Sequence, residues 1–162
     1  MTLNARSEAV RRRLLRPWNF RLYLWARLPL AACAGLSLRR LDDTGCTVAL
    51  PGGWRTQNPF RSMYFAAQSM AAEMSTGAPA MMLAEGASAS VSMLVREVRG
   101  VFTRRIQGEA EFTFEDLAGM RETVERAVAT GESESFLARS VGRNRDGGAS
   151  SEFEITWSFK RR

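Results

Sequence analysis

The chain has 162 residues and an apolar fraction of 45%, which is enough to build the core of one domain but short for two. Its formal charge is +6, but seven arginines and a single acidic residue fall between Met1 and Arg27, so the rest of the chain is neutral. The basic charge therefore belongs to an N-terminal arm, and a body that binds nucleic acid through its net charge is excluded.

The sequence has two cysteines, Cys33 and Cys46, and no histidine. This composition supports neither a disulfide framework nor an ordinary metal site, so we expect a reduced, cytoplasmic protein without metal or cofactor. Serine or cysteine nucleophiles that need a histidine base are excluded as well. Arg27 interrupts the apolar run before Cys33, which argues against a signal peptide, and Glu73 lies within the apolar stretch 62–84, which argues against a membrane span.

The first part of the chain predicts an arm followed by two strands. Residues 4–16 fit a basic helix, and an apolar section that includes Trp18, Phe20 and Trp25 continues to about residue 35. We expect residues 1–35 to form this arm and to pack on the body through its aromatic side chains. Strands are predicted at 36–41 and 46–50, with turn-forming residues between them.

A long helix is predicted next. Asn58 is a good N-cap residue, and Pro59 behind it is tolerated in a first helical turn, so the helix is expected to begin there. The pattern stays helical and rich in alanine to about Leu83. Gly77 and Pro79 are expected to bend or break its last part.

The second half of the sequence predicts four strands and a short helix. Expected strands cover 91–102, 108–115, 133–142 and 150–160, and two of them alternate strictly between apolar and polar residues. Such alternation is typical of antiparallel strands with one face packed and one in water. Asp116 and Gly131 bound the short amphipathic helix. This order indicates an α+β domain in which an antiparallel sheet surrounds one long helix.

Local sequence resembles the phenylacetyl-CoA-type thioesterases, in which an Asn precedes a His-Gly-Gly turn and an acidic residue follows nine positions after the histidine. In this chain Asn58 precedes the turn, Tyr64 stands at the histidine, Phe65 and Ala66 at the glycines, and Glu73 at the acid. Residues 102–109, Phe-Thr-Arg-Arg-Ile-Gln-Gly-Glu, resemble the family's strand–turn signature, with arginine in place of its usual proline.

The resemblance covers about residues 36–159 and implies a hotdog fold for residues 36–162. It further implies an acyl-CoA or other acyl-thioester substrate, and a homodimer, or a tetramer of two dimers, with its sites at the subunit seam. Dehydratases and hydratases of this fold use a histidine with a carboxylate, so the lack of histidine excludes those activities.

Glu73 is the leading catalytic candidate because it is the only charged residue between Arg61 and Glu85. A helix with so few charges is buried on most sides, and burial without a cation raises the pKa of a carboxyl group, as a general base requires. Two other interpretations stay open. Glu73 could line a wet seam between subunits, or it could pair with an arginine such as Arg61.

The start of the helix is the second candidate. With a rise of about 1.5 Å per residue, Glu73 lies about 10–14 Å from the Tyr64–Ala66 turn, too far for both to touch one thioester carbonyl. If a second subunit brings its own helix start alongside, the backbone N–H of Phe65 or Ala66 polarises the carbonyl while Glu73 activates water or attacks directly. Alternatively, these turn residues simply pack in the core.

Four more residues are weaker candidates. Thr76 either binds the attacking water or bonds to a carbonyl of its own helix. Arg104 and Arg105 either meet the phosphates of coenzyme A or are ordinary solvated residues. Asn58, with Tyr64, is expected to contribute to substrate binding.

Together these features predict an acyl-CoA hydrolase that uses Glu73 at a homodimer interface. The alternative is a non-catalytic hotdog protein that binds an acyl-CoA or fatty acyl group, which the loss of the turn glycines favours. A third hypothesis, that the basic arm contacts nucleic acid or an anionic membrane, is disfavoured by the expectation that its aromatic residues dock on the protein.

Overall fold

The computed structural model describes residues 3–162 and shows a six-stranded antiparallel sheet with one long helix against it. The helices are α1 (Ala5–Leu15), α2 (Pro17–Arg27), α3 (Pro29–Ala34), α4 (Phe65–Gly86) and α5 (Leu117–Thr130). The strands are β1 (Ser37–Leu41), β2 (Cys46–Leu50), β3 (Val91–Phe102), β4 (Ala110–Phe114), β5 (Glu134–Asn144) and β6 (Ala149–Arg161).

The sheet follows the alternation of the sequence. Phe112 of β4 and the pair Phe153 and Ile155 of β6 are buried, whereas the intervening Glu111 and Glu152 are exposed. Burying one face of each strand fixes the pairing register, because a slip of one residue would turn every apolar side chain outward. The strand order is β1-β2-β4-β5-β6-β3, and the predicted α+β architecture is confirmed.

Helix α4 begins later than the sequence predicted. Asn58 does not cap it; its side-chain Oδ1 instead accepts hydrogen bonds from the backbone N–H groups of Phe60 and Ser62 in a tight turn. The helix begins at Phe65, with Tyr64 as an N-cap residue whose side chain makes no capping hydrogen bond. An Asn side chain satisfied within its own turn competes with helix initiation, which explains the difference.

Of the predicted bend or break at Gly77 and Pro79, the break is wrong, because α4 runs through both residues as one 22-residue helix, and the bend stays a prediction. Alanine is the commonest residue on its buried face, which lets the helix lie close to the sheet. Ser75 Oγ lies 2.8 Å from Ala72 O and 2.8 Å from Ser140 Oγ of β5, so a buried hydrogen bond ties the helix to the sheet.

The N-terminal arm docks on the far end of α4. Asn4 Nδ2 donates to Gly86 O at 3.0 Å, while Asn4 Oδ1 caps α1 by accepting from Ser7 N. In α2, Phe20 is buried as expected, but Trp18 and Trp25 are 77% and 54% exposed, so the expectation that these tryptophans dock on the body is wrong. No helix within residues 3–162 is long and apolar enough to cross a bilayer.

The two edges of the sheet differ. Strand β1 is only five residues long, whereas β3 has 12 residues and pairs on one side only, with β6. Val98 and Phe102 lie opposite Ile155 and Ser151 of β6, yet both remain exposed, as does Leu94. A long unpaired edge strand that exposes apolar side chains is able to pair with a further strand.

We predict that Gly86→Ala destabilises the protein although alanine is the better helix former. A methyl group there would lie 2.9 Å from Ser7 N and 3.0 Å from Ser7 Cα, so the arm would have to shift. The free energy of unfolding, measured by urea denaturation, should fall by about 1–3 kcal/mol.

The control is Glu85→Ala in the same turn, which removes only a solvent-exposed ion pair with Arg13. It should cost less than about 1 kcal/mol. Equal stability of the two variants would contradict the tight contact between Ser7 and Gly86.

Candidate functional site

Glu73 lies in the wall of an apolar cavity of about 310 Å³. The cavity is formed by four parts of the fold: the arm, the middle of α4, the start of the edge strand β3, and β6. Its lining residues are Leu14, Phe20, Tyr23, Leu28, Glu73, Met74, Gly77, Ala78, Met81, Met93, Leu94, Val95 and Trp157. Glu73 is the only acidic residue among the described residues of this lining, which contains no arginine or lysine.

The Glu73 carboxylate has no hydrogen bond or ion pair within residues 3–162, so the ion pair with Arg61 that the sequence left open is not formed there. Burial raises the pKa of Glu73, and no cation opposes this shift. The pKa of Tyr23 is raised too, first by burial and then by the charges of Glu85 and Glu73. The Tyr23 hydroxyl points to Met81 Sδ at 3.3 Å, so it leaves the carboxylate unpaired.

Gly77 and Thr76 position the surroundings of this carboxylate. A methyl group on Gly77 would lie 2.9 Å from Glu73 Oε1 and 3.3 Å from Trp157 Cζ2, so glycine gives the acid room beside the indole. Trp157 Nε1 donates to Thr76 Oγ1 at 2.9 Å, and Thr76 Oγ1 donates to Glu73 O at 3.0 Å. The Thr76 hydroxyl thus anchors the indole, and its predicted contact with water stays a prediction.

The start of α4 presents two backbone N–H groups, those of Phe65 and Ala66, which meet no acceptor within the described residues. The Phe65 side chain is 56% exposed and lies edge-on to Phe102 at the end of β3, with ring centroids 6.3 Å apart. Phe102 contacts Phe153 in the same way at 5.5 Å. These rings hold the helix start against the end of the edge strand.

A groove of about 330 Å³ runs beside the helix start and brings four predicted residues together. They are Asn58, Phe65, Arg104 and Arg105. Arg104 pairs with Asp146 at 3.2 Å, and Arg105 donates to Phe60 O at 2.6 Å, both at the exposed surface. Tyr64 and Ala66 adjoin the groove in sequence but do not line it.

Gln68 also lines this groove, and the sequence analysis did not identify it. The residue is only 5% exposed, its Nε2 donates to Met63 O at 3.2 Å, and its Oε1 has no partner within the described residues. A buried carbonyl oxygen without a donor is costly and points to a missing ligand group or water. The only feature of the sequence that could have identified Gln68 was the position of a polar amide side chain within an alanine-rich segment.

The cavity and the groove are separate places in one subunit. Glu73 follows Phe65 by eight residues, or about 12 Å along the helix, in line with the sequence-based estimate. Both places border β3: the cavity at Met93–Val95 and the groove at Phe102. Residues 3–162 contain no cluster of His, Cys, Asp and Glu that could hold a metal ion.

Neither protein-family models nor curated protein sequences match this chain. Solved structures do. A Pseudomonas aeruginosa protein described as a probable thioesterase is 18% identical, with 90% of this chain and 97% of the other covered and a TM-score of 0.72. A thioesterase from Haemophilus influenzae is 11% identical, with coverages of 86% and 88% and a TM-score of 0.62.

A thioesterase from Staphylococcus aureus is 14% identical, with 82% of this chain and 98% of the other covered and a TM-score of 0.64. Structures of that protein carry alanine in place of a glutamine or of a glutamate 15 positions further on. These matches show that the chain has the hotdog fold. The fold implied by the resemblance of residues 58–73 and 102–109 is confirmed.

We predict that Glu73→Gln stabilises the protein at neutral pH. The folded state holds the Glu73 proton more tightly than the unfolded chain, so stability falls as the pH rises from about the ordinary value of 4.5 through the raised pKa. Glutamine removes this penalty. Urea denaturation of both proteins across a pH series should give a difference that grows with pH and vanishes in acid; a difference independent of pH would contradict it.

Proposed function

We propose that this chain is an acyl-CoA thioester hydrolase in which Glu73 is the general base at a homodimer interface. The observation that carries the proposal is a lone, partly buried carboxylate without a cation, set in an apolar cavity beside an unpaired edge strand. A buried acid with a raised pKa and no structural partner is a strong functional candidate. The naming of its structural neighbours as thioesterases supports the same reaction class.

The proposed dimer forms by antiparallel pairing of the two β3 edges. A two-fold axis near Val98 would set the start of one β3, at Met93–Val95, beside the end of the other, at Phe102. Phe65 packs on Phe102 within each subunit. The helix start of one subunit would therefore arrive at the Glu73 cavity of its partner, which completes a site that neither subunit holds alone.

In the proposed reaction the thioester carbonyl oxygen accepts the N–H of Phe65 or Ala66 from the partner helix. Glu73 takes a proton from water as the water oxygen adds to the carbonyl carbon. The tetrahedral intermediate then expels the sulfur, the C–S bond breaks, and Glu73 returns its proton to the thiolate. The partner's helix start stabilises the developing oxyanion with its N–H groups and its positive dipole end.

The Glu73 cavity and the groove beside the helix start suit the acyl group and the coenzyme A part of the substrate, respectively. The cavity around Glu73 is lined by methionine, leucine and aromatic side chains, which suit an acyl group. In the groove, Arg104 and Arg105 can pair with the phosphates of coenzyme A. The surface ion pair of Arg104 with Asp146 is weak enough to exchange for a phosphate.

The position of Asn58 adds support. The replaced glutamine and glutamate of the Staphylococcus aureus thioesterase are 15 positions apart, and Asn58 and Glu73 have the same spacing. Asn58 lines the groove, although its Oδ1 is engaged in its own turn. We propose that Asn58 shapes the turn ahead of the helix start and contacts substrate through its amide.

We predict that Glu73→Gln lowers kcat/KM for acyl-CoA hydrolysis by about 10²–10⁴-fold, because glutamine keeps the shape but cannot take a proton. Free thiol release should be measured with short-chain, medium-chain and aryl thioesters. Glu85→Gln is the matched control, since it removes an exposed carboxylate from the same helix outside the cavity.

The same assay tests the alternative function. The altered turn, with Phe65 and Ala66 where the family has glycines, favours a protein that binds acyl-CoA without hydrolysing it. Tight binding of the thioesters without thiol release from the wild-type chain would support that alternative and overturn hydrolysis.

If the Phe65 N–H is the required oxyanion donor, the shared site predicts that two inactive variants rescue one another, whereas activity retained by Phe65→Pro alone would assign the donor to Ala66. Phe65→Pro removes one N–H while keeping a helix start, because proline is tolerated at the first helical position and Tyr64 before it is already extended. When Phe65→Pro and Glu73→Gln chains are unfolded and refolded together, half of the dimers carry one intact site. Activity should return to roughly a quarter of the wild-type value.

Phe65→Ala is the control for this experiment, because it removes the exposed ring but keeps the N–H. This variant should retain activity. When it is mixed with Glu73→Gln chains, the activity should equal that of the Phe65→Ala chains present and should not rise above it. Failure of the two inactive chains to rescue one another, with heterodimers demonstrated by mass, would contradict a site shared between subunits.

A further inference from the structure

The outward face of α2 exposes a strip of apolar residues that the fold does not use. Trp18, Leu22 and Trp25 follow the i, i+4, i+7 spacing and therefore share one side of the helix. Their exposed fractions are 77%, 67% and 54%, and Leu30 at the start of α3 is 72% exposed. We refer to these four residues as the arm surface.

Two cations without an ion pair adjoin the arm surface. Arg16, which precedes α2 by one residue, and Arg21 are exposed, and neither forms an ion pair with a carboxylate within residues 3–162. The guanidinium carbon of Arg21 lies 5.9 Å from the centre of the Trp18 ring, which places this cation beside the strip. An apolar strip and a rim of free positive charge therefore occur on the same short segment.

We propose that the arm surface binds the interface of an anionic lipid bilayer. Such a surface offers both an apolar layer for Trp18, Leu22 and Trp25 and phosphate groups for the arginines, and tryptophan suits the boundary between them. A second copy of the chain would bring the same unpaired arginines together and is disfavoured by charge. Nucleic acid supplies anions but no apolar layer for leucine side chains.

The other side of α2 gives this binding a consequence for the candidate site. Phe20 and Tyr23 face inward and line the Glu73 cavity. A bilayer on the arm surface would lie one helix away from that cavity, so an acyl chain drawn from a membrane would have a short path. This consequence rests on the proposed function, whereas lipid binding itself does not.

The test is sedimentation of the full chain with vesicles, without substrate. One set contains phosphatidylcholine only, and the other also contains phosphatidylglycerol. The chain should sediment with the anionic vesicles and dissociate as salt is raised. A variant with Trp18→Ser, Leu22→Ser and Trp25→Ser should bind them more than about tenfold more weakly. Each of Arg16→Gln and Arg21→Gln should weaken binding roughly fivefold.

Two controls match these variants away from the arm. Trp54→Ser removes a tryptophan that is 82% exposed, and Arg145→Gln removes an exposed arginine, so both should bind vesicles like the wild type. Unchanged binding of the triple variant would overturn the proposal. Binding of the wild type to RNA but not to vesicles would also overturn it. So would the absence of vesicle binding by the wild type together with a lower oligomer mass of the triple variant, which would indicate a contact between copies of the chain.

Discussion

The arrangement of this molecule depends on the burial of one carboxylate, Glu73, in the middle of a helix whose only other charged residue is the exposed Glu85 in its last turn. Glu73 costs the folded state free energy whenever it is ionised, since no cation within the described residues offsets its loss of hydration. The fold makes room for it with a glycine at residue 77 and fixes the neighbouring indole through Thr76. Both the buried carboxylate and the glycine inside the helix lower the stability of the fold. A cost of this kind is typical of functional sites, which agrees with the proposed role of Glu73 in proton transfer.

The edge strand β3 gives this carboxylate its context. Its first residues border the cavity and its last residue packs on the start of α4. A single subunit therefore presents an acid at one end of the strand and polarising N–H groups at the other, about 12 Å apart along the helix. In the proposed dimer, the two-fold relation between subunits would make these ends meet. The unpaired backbone of β3 and its exposed valine and phenylalanine side chains favour that relation on independent grounds.

Most of the fold could be predicted from the sequence, because strict alternation in β4 and β6 leaves one choice of buried face, and because an alanine-rich segment with one charge has to be a buried helix. The start of α4 could not, since Asn58 suits both a helix cap and the local turn that it forms. The sequence could not show that α4 continues through Pro79, because the neighbours that pack on a helix around a proline are not visible in a sequence. In α2, apolar residues lie on every side, so the sequence could not tell buried Phe20 from exposed Trp18. The unpaired side-chain oxygen of Gln68 could not be predicted either, because it depends on which groups surround the residue in the fold.

The strand order also has a consequence for how the chain is made. Strand β3 pairs only with β6, which occupies the last part of the sequence. During synthesis on the ribosome, β3 has both of its edges free until β6 emerges, although α4 precedes both strands. The Glu73 cavity also lacks the Trp157 part of its wall until then. Non-local pairing of this kind is slow, and exposed apolar strands are prone to association before they pair.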